Sequence, residues 1–234
     1  MLETPSIFWY CRSIRSGSEN PGVRTISREV ADPSNQADLL TPQRLHAELL
    51  EASASGARAY LHGAAHDATI SRRHRTVRFG QADERWLELL KVLVERLGRR
   101  GWTYREGRSR SLWILETSAD VLSEGPDLSS VEGRIAYARG YFDAEGGTPR
   151  DTSAKFYIQF VQKNHADIAT LRAVLESVGV RCGALHNPSR LRDPDLWRFY
   201  VVAASHRDFA ERVGSWHPRK RSLLEARLRR EQRG

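Results

Sequence analysis

Two acids, Asp143 and Glu145, close the run IAYARGYFDAEGG at residues 135–147. The residues before them are aliphatic, aromatic and helix-like, so both acids fall where a helix should be stopping. Carbonyl oxygens already concentrate negative charge at a helix C-terminus, and carboxylates are least welcome there. Something positive must compensate, and a bound cation would do so. A second stretch, SGARAYLHGAAHDATI at residues 55–70, ends the same way with Asp67. AYLHG and AYARG correspond, Ala59–Gly63 against Ala136–Gly140, and both are rich in Ala and Gly. Two such helices can lie with their backbones unusually close, and their acidic ends would then meet. Clustered carboxylates with nearby carbonyls form a hard oxygen site for Mg²⁺ or Mn²⁺. A divalent site of this kind can activate water and stabilise a leaving alkoxide in phosphodiester hydrolysis. A lone DAEGG is more often a solvated turn. The recurrence of the element is what sets this pair apart.

Each acidic helix end stands before one copy of an internal repeat. VRFGQADERWLELLKVLVERLG runs from Val77 to Gly98, and IQFVQKNHADIATLRAVLESVG from Ile158 to Gly179. Each reads as a strand ending in Gln (Gln81, Gln162), an amphipathic helix, and a glycine in the left-handed position that closes helices. Both Gln-to-Gly intervals are 17 residues. Leu87, Leu90, Leu93 and Leu97 mark one apolar helix face; Ile168, Leu171, Val174, Leu175 and Val178 mark the other. A hairpin follows each glycine, with Trp113 and Trp197 in matching places. The division expected is a first unit at 55–122, a linker at 123–133 where Gly, Pro, Ser and Asp cluster, and a second unit at 134–234. Residues 1–54 stand outside the repeat, and no functional reading attaches to them.

The whole chain has 234 residues, is 40% hydrophobic and 28% charged, and carries a formal charge of +8 in which Arg far outnumbers Lys. That balance favours an anionic partner, and Arg suits bidentate phosphate or guanine contacts. Cys11 and Cys182 lack metal-site spacing, so a reducing, intracellular setting is expected. No run approaches the roughly 20 apolar residues of a membrane span, and the N-terminus does not read as a secretion signal. His62 and His66 are four apart, yet no Glu completes a zinc-binding HExxH pattern.

ARGYFDAEG, residues 138–146, resembles the nine-residue signature of the LAGLIDADG homing endonucleases. In that resemblance Gly140 is the helix-packing glycine and Glu145 the metal-binding catalytic acid. The similarity extends over roughly residues 55–230 and includes FVQKN and GSWHPRKRSLLE. The first copy departs from the pattern. With Gly63 in the packing position, the acid comes one residue early. With Thr69 and Ile70 aligned after the motif, Asp67 takes the catalytic position but His62 replaces the glycine. Either way Ala68 replaces the final glycine.

The resemblance implies an α+β fold: a monomeric pseudo-dimer of two αββαββα units whose curved antiparallel sheets form a saddle on double-stranded DNA. It also implies cleavage of both strands across the minor groove with Mg²⁺ or Mn²⁺, Asp67 and Glu145 holding metal, and Gln81, Gln162 and Lys220 supporting them. No match to Lys220 is evident in the first unit. A member that has lost cleavage and acts as a maturase or transcriptional regulator is the alternative.

For the DNA face, Arg72, Arg73, His74, Arg75 and Arg78 come from SRRHRTVRF, with Arg72, His74, Thr76 and Arg78 alternating against Val77 and Phe79. In the second unit Lys155, Tyr157 and Gln159 alternate against Phe156, Ile158 and Phe160, and Lys163 follows. The hairpin loops add Arg105, Arg108, Arg110, Arg190 and Arg192 as phosphate contacts.

Overall fold

The computed structural model describes residues 47–107, 112–151 and 153–231. Two helices pack against each other at its centre: α1 (Ala54–Ala64) and, in the second unit, α3 (Val131–Glu145). Each begins at a serine whose hydroxyl accepts a backbone amide, Ser53 from Gly56 at 2.9 Å and Ser130 from Gly133 at 3.0 Å. These bonds satisfy donors that a first helical turn leaves without partners. Ten residues beyond each cap stands a glycine, Gly63 and Gly140. A methyl group on Gly63 would sit 2.6 Å from the Tyr141 amide nitrogen, and one on Gly140 would sit 2.9 Å from the Tyr60 carbonyl carbon. Neither approach is tolerable, so only glycine lets the two backbones touch. Ala57, Ala59, Ala64, Ala136 and Ala138 are buried along these helices.

Each unit wraps a sheet and a helix behind its central helix. In the first, β1 (Thr69–Ser71), β2 (Thr76–Gln81), β3 (Gly101–Glu106) and β4 (Leu112–Ser118) form an antiparallel sheet in the order β1-β2-β4-β3. Between β2 and β3 runs α2 (Glu84–Arg96), which buries Trp86, Leu87, Leu90, Leu93 and Val94. The second unit has β5 (Gln159–Gln162), α4 (His165–Ser177) and β6 (Trp197–Tyr200). Its regular sheet is two-stranded, but bridges from Gly147 to Gln159, Cys182 to Val201 and His186 to Arg198 flank it on both sides. The spatial order is therefore that of the first unit with shorter ladders. Gln81 lies opposite Trp113, and Gln162 opposite Trp197. Gly98 (φ 71°) and Gly179 (φ 83°) take the left-handed conformation that closes α2 and α4.

The chain ends in 3-10, α and π turns over Ala203–Val213, then α5 (Pro218–Glu231). Leu49 is buried in the core, and Glu48 holds the Arg221 guanidinium of α5 at 2.9 and 3.0 Å. The stretch just before the repeat thus packs on the last helix. Residues 1–46 lie outside the described residues.

Two expected strands are shorter than their alternation suggests. Residues 72–75 form a turn rather than the start of β2, with the Ser71 hydroxyl accepting from the His74 amide at 3.2 Å and Arg75 at φ 55°. Lys155–Ile158 run outside regular strand structure until β5 begins. In the first case four consecutive basic residues offer no apolar side chain to anchor a strand on the core.

Candidate functional site

The first motif holds one residue fewer than the second between glycine and acid, and the backbone compensates. From Gly140 to Glu145 the chain takes five α-helical steps, a rise of about 7.5 Å. α1 instead ends at Ala64 and continues as a 3-10 turn over Ala65–Asp67. One α step and three of the longer 3-10 steps from Gly63 also climb about 7.5 Å. Of the two registers open in the sequence, the one with Gly63 at the close approach is adopted. The acid is delivered to the same height by tighter winding.

Asp67 acts on Glu145. The Glu145 carboxyl is pushed up to about 7, chiefly by burial and then by repulsion from Asp67, with Lys220 acting the other way. Asp67 is pushed up to about 6 by the protein packed around it, again opposed by Lys220, although the residue as a whole stays exposed on one side. Its carboxylate accepts from the Gln81 amide nitrogen at 3.2 Å. Lys220, only 5% exposed, donates to the Phe142 carbonyl at 2.5 Å and the Asp143 carbonyl at 2.9 Å. An ammonium therefore sits on the end of α3 and offsets the charge gathered there. Burial lowers Lys220 to about 8, with Asp143, Glu145 and Asp67 pulling it back up.

Asp143, two residues before Glu145, faces the interior. It is fully buried and accepts from the Tyr60 hydroxyl at 2.6 Å, the Trp216 amide at 2.8 Å, the His217 amide at 3.2 Å, and the Ser215 hydroxyl. Burial raises its pKa, while Ser215, Tyr60, Lys220 and Trp216 act in the opposite sense. The strap Ser215–His217 that it holds leads directly into α5 and Lys220. Its counterpart three residues after Gly63 is His66, whose Nε2 lies 2.8 Å from the Tyr137 hydroxyl. Each central helix thus sends a tyrosine to the other, Tyr60 to Asp143 and Tyr137 to His66. His62 meets the Glu124 carbonyl at 2.7 Å, so the two histidines are separately engaged.

Beside the acids opens a cleft of about 700 Å³ lined by Gln81, Asp83, Trp113, His217, Arg219 and Lys220. His217 is stacked on Trp86 and held near 3, mainly by burial, so it is neutral at ordinary pH. Gln162 is placed differently from Gln81, its side-chain oxygen accepting from the Lys163 amide at 2.7 Å. The Glu145 carboxylate lies near enough to Asp67 to be repelled by it, and no cluster of three or more His, Cys, Asp or Glu side chains able to hold a metal ion occurs among the described residues. That donor set fits Mg²⁺ or Mn²⁺, which bind through one or two carboxylates and leave the remaining positions to water and substrate phosphate.

Away from the helices, the open side of the first sheet is a paired network. Arg78 reaches Glu106 at 2.6 Å and Glu116 at 3.7 Å, while Tyr104 and Thr76 donate to Glu116 at 2.7 and 2.6 Å. Arg105 is in β3 on the opposite face, over the Trp113 ring. Arg72, Arg73, His74 and Arg75 are exposed in the turn. Lys155 is exposed; Tyr157 donates to the Thr148 carbonyl at 3.2 Å, and Gln159 bridges Gly147 through its backbone. Lys163 is paired with Asp193 at 3.1 Å, whereas Arg190 and Arg192 are exposed. Arg108 and Arg110 lie outside the described residues.

Sequence reasoning missed the Arg78 network and the Tyr60–Asp143–strap connection. Glu106 and Glu116 stand at the alternating positions that face Arg78, so the first was open to strand pairing. Nothing in the sequence joins Asp143 to Ser215, 72 residues away.

No family model matches the chain, and no curated protein matches it. Solved structures do. I-DmoI in complex with DNA and Mn superposes with a TM-score of 0.52 at 18% identity, over 69% of this chain and 98% of that one. Full-length DUF199/WhiA from Thermatoga maritima gives 0.61 at 15% identity, over 82% of this chain and 66% of that one. The N-terminal LAGLIDADG domain of DUF199/WhiA gives 0.56 at 14%, over 74% and 89%. The chain has the LAGLIDADG fold. At these identities the likeness speaks for the fold alone. α1 and α3 are the pair of helices packed at the centre of that fold, with Glu145 closing α3 and Asp67 in the 3-10 turn after α1. No helix among the described residues is long and apolar enough to cross a membrane.

Proposed function

We propose that this protein is a site-specific endonuclease that cuts both strands of double-stranded DNA with Mg²⁺ or Mn²⁺. The observation that carries the reading is the convergence of Asp67 and Glu145, each raised well above an ordinary carboxylate, beside Lys220 and Gln81. Two acids gathered at helix C-termini next to a polyanion are costly for a protein that only binds. A bound cation would relieve that cost. When present, it supplies an activated water and charge stabilisation at the scissile phosphate.

The chain's own groups have separable roles. Asp67 and Glu145 hold the ion. The Gln81 amide fixes the Asp67 carboxylate and orients water in the cleft. Lys220, with two protons committed to the Phe142 and Asp143 carbonyls, has one N–H left for a phosphate oxygen. The exposed Arg72–Arg75 turn and the exposed Arg190 and Arg192 would meet the phosphate backbone.

The test is Glu145→Gln assayed on DNA recovered by selecting cleaved duplexes from a genomic library with Mg²⁺. Binding should persist and cleavage should vanish; cutting at the original rate would remove Glu145 from the chemistry. The second reading is a DNA- or RNA-binding regulator or maturase without cleavage. The shortened first motif and the likeness to DUF199/WhiA favour it. It predicts tight binding with no cut product under any divalent ion.

A further inference from the structure

Leu191 is fully exposed, at 101% of the reference area, midway along the loop that joins residue 186 to β6. A lone surface leucine is ordinary; this one stands apart because of what surrounds it. The loop is tied down by its polar residues. The Asn187 side chain donates to the Asp193 and Pro194 carbonyls at 2.9 and 2.7 Å and accepts from the Ser189 amide at 2.8 Å. The Arg192 and Asp193 amides both donate to the Ser189 carbonyl at 2.8 Å. Asp193 is further paired with Lys163 at 3.1 Å, one residue beyond Gln162 at the end of β5. Every one of these bonds shapes the turn, and the Leu191 side chain contributes to none of them. Its neighbours Arg190 and Arg192 are exposed as well.

A tied-down turn that exposes one apolar side chain between two exposed arginines in sequence fits a polyanion with an apolar feature between its phosphates. Duplex DNA has that feature in the major groove, where thymine presents a 5-methyl group and a two-stranded ribbon can enter. We infer that Leu191 is a specificity-determining residue that packs on a thymine 5-methyl group, while Arg190 and Arg192 grip the flanking phosphates. The inference rests on the DNA-binding reading above. It adds a base-reading role that arginines on phosphates cannot provide, since phosphate contacts fix register without reading sequence. The loop is already ordered by its own bonds, so the contact forfeits little conformational freedom.

The test uses the full chain and a random-sequence duplex library, with binding measured in Ca²⁺ for the original protein, Leu191→Ala, Leu191→Met and Arg190→Ala/Arg192→Ala. Leu191 is wholly solvent-exposed, so its variants fold. Thymines of the preferred duplex are then replaced singly by deoxyuridine, which removes only the methyl group. One replacement should weaken the original protein about fivefold and leave Leu191→Ala indifferent, with Leu191→Met retaining the sensitivity. The double arginine variant should weaken all duplexes alike and flatten the salt slope by about two. Identical preferences and deoxyuridine responses in the original protein and Leu191→Ala overturn the inference while leaving DNA binding intact. A wild-type chain that binds no duplex overturns both readings.

Discussion

Replacing Asp143 should uncouple the strap before α5 from the motif helices, at a cost that follows from its donors. Alanine strands four groups, but two have alternatives. The Ser215 hydroxyl can turn to the His217 carbonyl at 3.3 Å, and the His217 amide to the Ser215 oxygen at 3.1 Å. The Tyr60 hydroxyl and the Trp216 amide are left in a dry interior, each at about 1–3 kcal/mol. Losing the carboxylate also removes the charge that faces buried Lys220 and Arg139, for a net loss of about 3–5 kcal/mol. Asparagine behaves differently. Its oxygen can keep Tyr60, Trp216 and His217, while one N–H of its NH₂ donates to Ser215. Only the second N–H lacks a partner, so the loss should be smaller than alanine's, at about 1–3 kcal/mol. Urea denaturation followed by tryptophan fluorescence reads both, with the m-value checking that the unfolded state is unchanged. Equal midpoints for Asp143→Ala and Asp143→Asn would refute the reasoning, because the retained hydrogen bonds and the filled volume are what separate them.

Other outcomes follow from the same geometry. Glu145 has a folded pKa raised to about 7, so its protonated form favours the fold, and that stability is lost as pH rises from the unfolded value through about 7. Glu145→Gln should therefore be more stable than the original by about 1–2 kcal/mol at pH 8 in chelator and no more stable near pH 4, as measured by thermal melts; a constant offset would argue against a strained acid. Mg²⁺ should raise the melting temperature of the original chain at pH 8 and leave Asp67→Asn/Glu145→Gln unmoved. Gly140→Ala should force the helix backbones apart at about 1–3 kcal/mol and abolish cutting, and unaltered cleavage kinetics would show that the close approach is dispensable. Only one lysine faces the acids among the described residues, so supercoiled plasmid should pass through a nicked intermediate, and Lys220→Met should slow one strand more than the other on end-labelled duplexes.

Much of this architecture was written in patterns of local origin. The Leu87–Leu93 and Ile168–Leu175 stripes, the closing glycines and the paired Ala-Gly helices each depend on spacing within one element, and spacing is what a sequence records. That both central helices end in an acid was legible because the element recurs. The environment of each polar side chain was less so. Arg78 looked free for an anion until Glu106 and Glu116 appeared beside it, a result of which strands are neighbours. Asp143 and Glu145, two residues apart, were equal as letters. On a helix, however, two residues turn the side chain through about 200°, sending one acid inward and the other to the rim.

The 3-10 turn at Ala65–Asp67 carries one more consequence. A helix terminus can exchange pitch for length, so a deletion that would misplace a side chain by a full step is absorbed by stretching the final coil. What must be preserved at such a terminus is elevation along the axis, not the number of letters that reach it. Probes that count positions will pass over chains in which the working end stands at the right height, and probes that measure rise will find them.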